Sequence, residues 1–509
     1  MKKNGKLILP KGRNIICISI YVFSYAIVQF YAVDKGMNIL AFFKNLTIIL
    51  FIILYLQFDD NQNRRLKMIP YSASVSVLLS LFLVLFEHSG VWMNGRLQGI
   101  FYYANSYGLF LLLGVFVLAN EEKITWKNVV MFLILFVGIV LTNSRAIILL
   151  TVLALVVSIF TNKNNFKGIL AITICFLALF IGVYLLSNME KRVDSNMLGS
   201  SEFITRLLYY KDALSMIKDN PFGYGYEGWY YKQVEVQTGV YDTKYVHNSI
   251  LQVALDVGII PMIVLFVMLV FHFFDKRQTT FTRMMALLIL GHSLIDFDLE
   301  YLYFIMILIL LIDFEKMEMT KNKIQTTCLA VLMCGYFYVF LGDVSFAVGD
   351  YFTAIKILPF HTEAIQEILY NVTTKEEQLK YANMSLQYNP NISGAYEALS
   401  NDLQSKQEYE EALKYEKKRL SLNKYTVYNY LTFADFLSKG IQYYSANEES
   451  DKLQEFLKEV VGIEERINDI LAKTNPLCYQ TIHTPNLELP EQIQEFIEEA
   501  KLQLNAMST

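Results

Sequence analysis

Four stretches of this chain put polar or charged side chains where the surrounding sequence is apolar, and their residue types suit the handling of an anion. Arg145 interrupts LTNSRAIILL, between two apolar runs. A guanidinium there is costly unless it snorkels, finds a partner or faces a water-filled cavity, so it marks a functional position; the plainer alternative is a cap on a short turn touching lipid headgroups. Arg206 opens RLLYYKDALSMIKDNPFGYGYEGW, in which Leu207, Leu208, Ala213, Leu214 and Ile217 form a helical stripe. Asn220-Pro221 with Gly223, Gly225 and Gly228 then closes the stripe in a tight, aromatic turn. Such a helix lies flat at a membrane interface, where its arginine reaches a lipid phosphate; an ordinary surface arginine is the alternative.

His247 and Asn248 begin the apolar run YVHNSILQVALDVGIIP. Histidine has the side-chain pKa closest to neutrality and suits proton abstraction or anion binding, although at a helix start it also serves as a polar cap. Arg96 and Asn105 lie within GRLQGIFYYANSYG, where anchoring at the interface with Tyr102 and Tyr103 is the competing reading. Taken together, arginines and a histidine with no carboxylate cage and no thiol nucleophile fit a pyrophosphate, which arginine grips bidentately at every relevant pH. No metal and no cofactor are expected. The five cysteines, Cys17, Cys175, Cys328, Cys334 and Cys478, form no disulfide framework or metal-ligand spacing.

The elements that must position these residues are membrane helices. Of the 509 residues 54% are hydrophobic and 18% charged, and the charge collects after about residue 315. Residues 1–342 are therefore expected to form a transmembrane domain and residues 343–509 a water-soluble one. Apolar segments qualify as spans at 14–33, 38–58, 68–87, 99–119, 127–143, 145–160, 168–187, 249–274, 281–298, 300–314 and 324–342, which gives about eleven helices and an all-α, polytopic fold. The basic start MKKNGKLILPKGR leads into a retained first span. The net charge of -4, without a basic stripe, sets nucleic acid aside.

Lysine and arginine collect in alternate loops. One set holds Lys2, Lys3, Lys6, Lys11, Arg13, Arg64, Arg65, Lys67, Lys123, Lys127, Lys163, Lys167, Lys276, Arg277, Arg283, Lys316, Lys321 and Lys323; the opposite set holds little beyond Lys35, Lys44, Arg96 and Arg145. The positive-inside rule puts the N-terminus in the cytoplasm, and an odd number of spans puts both the loop 188–247 and the C-terminal domain outside. The least secure stretch is 284–314, short for two crossings and carrying Asp296, Asp298 and Glu300 at its middle. All four polar constellations then share the outer side.

After the last span, EEQLKYANMSLQYNP (376–390) and YEEALKYEKKRLSLNK (409–424) align at aromatic, small and leucine positions, and FAVGDYFTAIKILP precedes them with Ala347, Ala354 and Pro359. These segments resemble tetratricopeptide repeats, in which small residues let paired helices approach. Gln378 stands where alanine is usual and Lys424 where proline is. An unrelated array of helical hairpins would also give an all-helical stack with a concave face.

An outer Arg-x-x-Gly-x-Phe segment ending in asparagine (Arg96, Gly99, Phe101, Asn105), a Thr-x-Ser-Arg turn (Thr142, Ser144, Arg145), an arginine before Pro-x-Gly-x-Gly (Arg206, Pro221, Gly223, Gly225) and a His-Asn-x-x-Leu-Gln start (His247, Asn248, Leu251, Gln252) occur in that order. Over residues 90 to 300 this resembles the O-antigen ligase and polymerase family of bacterial envelope enzymes. The resemblance implies metal-independent, inverting transfer of glycan from undecaprenyl pyrophosphate at the cytoplasmic membrane. It implies catalytic roles for Arg145, Arg206 and His247, and substrate contacts for Arg96, Asn105, Ser144, Tyr210, Asn248 and His292. Tyr210 stands where tryptophan is common and Ala104 replaces a proline, which bears on the substrate more than on the reaction. His292 and Asp296, one turn apart, could line the pocket or pair with each other.

Outside the cell no nucleotide sugar is supplied, so a donor must arrive activated on a lipid pyrophosphate. The acceptor could be another lipid-linked repeat, a lipid or wall polymer, or a protein side chain; polymerisation of a surface polysaccharide is the preferred reading, with protein O-glycosylation next. The C-terminal repeats could hold a partner protein or a growing glycan. A flippase for lipid-linked oligosaccharide would need ionisable or helix-breaking residues near mid-membrane, whereas here the charges gather at one end.

Overall fold

A computed structural model describes residues 6–58, 65–86, 90–186, 201–320 and 323–508. Lys2, Lys3, Arg64 and Lys321 of the charge count, and residues 188–200 of the long loop, lie outside these.

The described residues are almost entirely helical. Helices α1 (Arg13–Val28), α2 (Lys35–Leu56), α3 (Ile69–Leu83), α4 (Ala104–Ala119), α5 (Trp126–Thr142), α6 (Arg145–Thr161) and α7 (Phe166–Leu186) form the first part of a bundle. Helices α8 (Ser201–Asp219) and α9 (Gly228–Val236) belong to the long loop. The bundle resumes with α10 (Ser249–Val257), α11 (Ile259–Phe274), α12 (Thr280–His292), α13 (Leu302–Leu311) and α14 (Lys323–Ala347). Among the described residues three helices are long and apolar enough to cross a membrane, Lys35–Leu56, Lys163–Leu185 and Thr327–Ala347; seven more are apolar but shorter.

The centre of the bundle is α4, in which every residue except Asn105 is buried. A helix apolar on all sides has no face to give to water, so it takes the middle and its neighbours wrap it. Phe110, Phe116, Phe132, Phe136, Phe176 and Phe304 fill the space around it. On the outside the apolar side chains remain uncovered, among them Phe30, Leu78, Phe160 and Phe274, as expected where lipid replaces water.

Two departures from the expected helical pattern bear on architecture. The apolar run 249–274 reads as one span but is two helices, broken at Gly258 with φ +93°. Strand β1 (Lys6–Lys11) pairs antiparallel with β4 (Glu315–Thr320), and a second small hairpin joins β2 (Trp92–Met93) to β3 (Arg96–Leu97). The first pairing gathers one end of the bundle, here the strand end. Gln57 bonds Ile8, Asn14 donates to the Asp313 carbonyl, and Gln278 reaches the Asp313 carboxylate. Asp34, Arg96, Thr142, Arg206, His247 and Asp296 lie at the opposite end. The chain returns from Asp296 to Asp313 through α13, whose ten residues rise only about 15 Å. Lys44, counted above as a loop charge, instead lies inside α2 and pairs with Glu300 at 3.1 Å.

Beyond α14, which runs on to Ala347, helices α15 (Tyr351–Ile357), α16 (Thr362–Asn371), α17 (Lys375–Tyr388), α18 (Ser393–Ser405), α19 (Tyr409–Ser421), α20 (Val427–Ala446), α21 (Ser450–Lys473) and α22 (Glu491–Ser508) follow one another. Successive helices pack together, with Ala354, Ala382, Ala395 and Ala412 wholly buried between them. The array docks on the end opposite the strands. Lys244 pairs with Glu227 at 2.7 Å and with Glu363 at 2.5 Å. Asp34 accepts hydrogen bonds from Thr362 and Asn389, both at 2.9 Å. Farther along, the amide of Asn475 donates to Thr238 and Cys478 is buried among Leu208, Trp229 and Val246. Burial works against the Lys244 charge, but Glu227 and Glu363 overcome it and hold its pKa above the ordinary value.

Candidate active site

The turn after α8 is shaped by glycines that the helix break requires. Gly223 (φ +89°) comes so close to the break that a Cβ there would lie 2.7 Å from the Asp256 carbonyl, and one on Gly258 would lie 2.8 Å from the Pro221 carbonyl. The two segments then exchange backbone bonds: Tyr224 and Gly225 donate to Leu255 and Asp256, and Ile259 donates to Pro221. The Pro-x-Gly-x-Gly turn is thus the wedge that ends α10 early, and it fixes the start of α10 where His247 stands.

His247 is held in the left-handed region at φ +57°, a conformation that disfavours a branched or bulky side chain and persists only when its surroundings impose it. Those surroundings are specific. Tyr210 donates to the His247 carbonyl at 2.7 Å, Gln252 accepts from the Val246 amide, and Asn248 caps α10 through the amides of Ile250 and Leu251 while donating to Leu294. The ring stacks on Phe297, with centroids 5.0 Å apart, and meets Tyr209 edge-on at 5.8 Å.

Asp296 is the hub of the cluster. Its carboxylate accepts from Tyr103 at 3.0 Å and from Asn105 at 2.8 Å, pairs with Arg206 at 3.6 Å, and lies 3.9 Å from Nδ1 of His247. Arg206 also donates to the Ile295 carbonyl at 2.7 Å. Arg96 extends the network, donating to Oδ1 of Asn105 at 2.5 Å and to the Thr142 carbonyl at 2.8 Å. Burial penalises the Asp296 charge, and the Arg206 guanidinium with the Tyr103 and Asn105 donors compensates for it. Burial pushes the His247 pKa down to about 4, with Asp296 only partly opposing it. At neutral pH the imidazole is therefore uncharged and can accept a proton. Among the described residues its buried Nδ1 has no hydrogen-bond partner, and it faces a carboxylate able to stabilise the imidazolium that proton transfer would form.

The structure gathers Arg96, Asn105, Arg206, Tyr210, His247 and Asn248 around Asp296, but Tyr210 and Asn248 use polar atoms to hold the backbone beside His247. Arg145 is the first residue of α6, three residues beyond the Thr142 carbonyl that receives Arg96. It is half-buried and makes no ion pair among the described residues. Ser144, buried at the N-cap of α6, makes no capping bond from its hydroxyl. His292 does not pair with Asp296: its Nδ1 lies 2.6 Å from Asp298, whose other oxygen receives Ser106. At 1% exposure His292 is enclosed behind the cluster.

In the sequence Asp296 stands out only as a possible partner of His292 and as a charge in a stretch short for two crossings. Its signal was there, since a carboxylate inside an apolar region needs a compensating partner. What could not be read was which cation supplies it, because Arg206 is 90 residues away along the chain.

Residues 130–267 match the family model described as O-antigen ligase. No curated protein and no solved structure matches the chain. The matched segment contains Arg145, Arg206 and His247, while Arg96, Asn105 and Asp296 lie beyond it and meet it in space.

Proposed function

On the premise of an O-antigen ligase-type membrane enzyme, we propose that this protein joins glycan from a lipid pyrophosphate to an acceptor hydroxyl at the site around Asp296. The observation that carries the reading is the clamp itself: one buried carboxylate ties the Arg206 guanidinium to an uncharged histidine. Arg206 and Arg145 hold the pyrophosphate. Asp296 and Ile295 engage only part of the five-donor fork of Arg206, leaving donors for phosphate oxygens. The acceptor hydroxyl attacks the anomeric carbon and gives its proton to Nε2 of His247. The anomeric carbon–oxygen bond breaks as the new one forms, and the departing lipid pyrophosphate takes the bonding electrons, stabilised by the guanidinium charges. Attack from the face opposite the leaving group inverts the anomeric carbon. The arginines supply the positive charge, so the reaction as written uses no metal.

The proposed membrane arrangement is the eleven-span one, with the strand end in the cytoplasm. Pairing of β1 with β4 supports placing Lys6, Lys11 and Lys316 on one side, in keeping with the positive-inside rule. One further helix, α14, then brings the C-terminal array to the side of Asp34 and Lys244, where it docks. We read that array as tetratricopeptide-like, from its paired helices and buried alanines.

The test is the full-length protein in lipid, supplied with a lipid-linked oligosaccharide. Lengthened or transferred glycan together with freed lipid pyrophosphate is the expected result. Movement of the lipid-linked sugar across the bilayer without transfer would replace this reading by a transporter.

A further inference from the structure

A cavity of about 520 Å³ lies between the long loop and the C-terminal array, within the size range of ligand sites. Tyr209, Tyr230 and Tyr241 form its wall on the loop side. Tyr370 comes from α16, and Asn391 and Asn423 come from turns of the array. Six of its eighteen lining residues are tyrosine, four more are asparagine or glutamine, and none is lysine or arginine. Part of its hydrogen-bonding capacity is uncommitted: among the described residues no bond is made from Nδ2 of Asn391 or Asn423, whereas Gln237 and Gln366 donate within the protein and Tyr231, Tyr241 and Tyr425 engage their hydroxyls there. Tyr209 is shared with the site, since the same ring meets His247 edge-on at 5.8 Å. One wall of the cavity is therefore in contact with the proposed base, which lies behind Tyr209 and does not itself line the cavity.

We propose that this cavity is the acceptor subsite and that it holds a neutral glycan chain, with its reacting hydroxyl directed past Tyr209 to His247; this rests on the transferase reading above. Pyranose rings present flat C–H faces that pack on aromatic rings, and their hydroxyls take bonds from amides and tyrosine hydroxyls. The six tyrosine rings supply the flat faces, and the amides of Asn391 and Asn423 are placed to supply the bonds. An acidic polymer would find no cation in the lining and would meet Asp242. A polypeptide bound through its carboxylates would lack a basic partner for the same reason. The position also explains why the array docks through buried bonds at Lys244 and Asp34: without it the cavity has only one wall.

The experiment uses the full-length protein in nanodiscs and, as probe, short neutral oligosaccharides released from the source organism's own surface polymer. Saturation-transfer NMR reads their binding, and undecaprenyl pyrophosphate binding is measured separately. Tyr370 is exposed, so Tyr370→Ala combined with Asn423→Ala is expected to fold, to weaken oligosaccharide binding by about tenfold or more, and to leave lipid pyrophosphate binding unchanged. Tyr370→Phe should keep most of the affinity. Absence of oligosaccharide binding to the wild type, or equal binding to the double variant, overturns the subsite. So does a Tyr370-dependent affinity for an unglycosylated peptide in place of the sugar. Oligosaccharide binding that depends on Tyr370, in a protein that ignores lipid pyrophosphate, would keep the subsite and remove the transferase reading instead.

Discussion

The two ends of the bundle treat charge in opposite ways. At the strand end polar groups are met near solvent: Lys67 pairs with Glu121 while half-exposed, Arg277 folds back on Asp275, and Asn162 and Asn165 donate to the carbonyl of Glu121. Solvent screens pairs of that kind, and they contribute little to stability. At the other end Asp296 is 1% exposed, and Arg206, Asn105, Tyr103 and His247 all turn toward it. Burying charge is expensive unless each partner is satisfied, and removing one partner strands the rest. A cluster kept under that penalty is more informative about chemistry than a larger number of exposed pairs.

The contrast can be tested by substitution, beginning where the effect should be greatest. Arg206→Ala and Arg145→Ala should each abolish transfer, a loss of about a thousandfold or more, while the protein still inserts. Full activity in either variant would reject the assignment of that arginine. His247→Ala should lower the rate by about a hundredfold, measured with saturating donor and acceptor. A decline of less than twofold would leave the proton without an acceptor.

Asp296→Asn should cost about tenfold, less than loss of the histidine itself, because the base remains but its imidazolium loses its counter-charge. The pH profile follows from burial. His247 must be uncharged to act, and its pKa is depressed to about 4, so the acid limb of kcat/KM should lie near pH 4, well below the ordinary histidine value. Because Asp296 raises the His247 pKa, Asp296→Asn should move that limb lower still; a limb near pH 6.5 in the wild type would mean that the ring is solvated. The same depression makes the unfolded chain bind more protons between about pH 4 and 6.5, so this histidine's contribution to stability rises with pH across that window. The smallest effect is expected at the opposite end, where Lys67→Ala should leave transfer within about twofold.

Much of this was legible in the sequence, and the exceptions share a cause. Arg145, Arg206 and His247 stood out because each interrupts or borders an apolar or amphipathic pattern, and such local contrast survives in one dimension. The break at Gly258 did not, because the run from Ser249 to Phe274 has the hydrophobicity of a single span; what divides it is the Pro221–Gly223 turn from another part of the chain. The partner of His292 differs from the one that spacing offers, for a related reason. Spacing on an ideal helix favours Asp296, but α12 ends at His292, and the turn that follows presents Asp298. The docking of the helical array through Lys244 and Asp34 rests on pairs more than a hundred residues apart, which no periodicity encodes.

The pairing of β1 with β4 has a consequence for biogenesis. During synthesis the strand at Lys6–Lys11 waits while some three hundred residues are made, since its partner at Glu315–Thr320 emerges only after α13. The clasp is thus among the last long-range contacts available to the bundle, and it closes before the C-terminal array exists to be docked. Nascent chains halted just short of residue 315 should leave that strand open to protease, whereas chains extended past residue 320 should protect it.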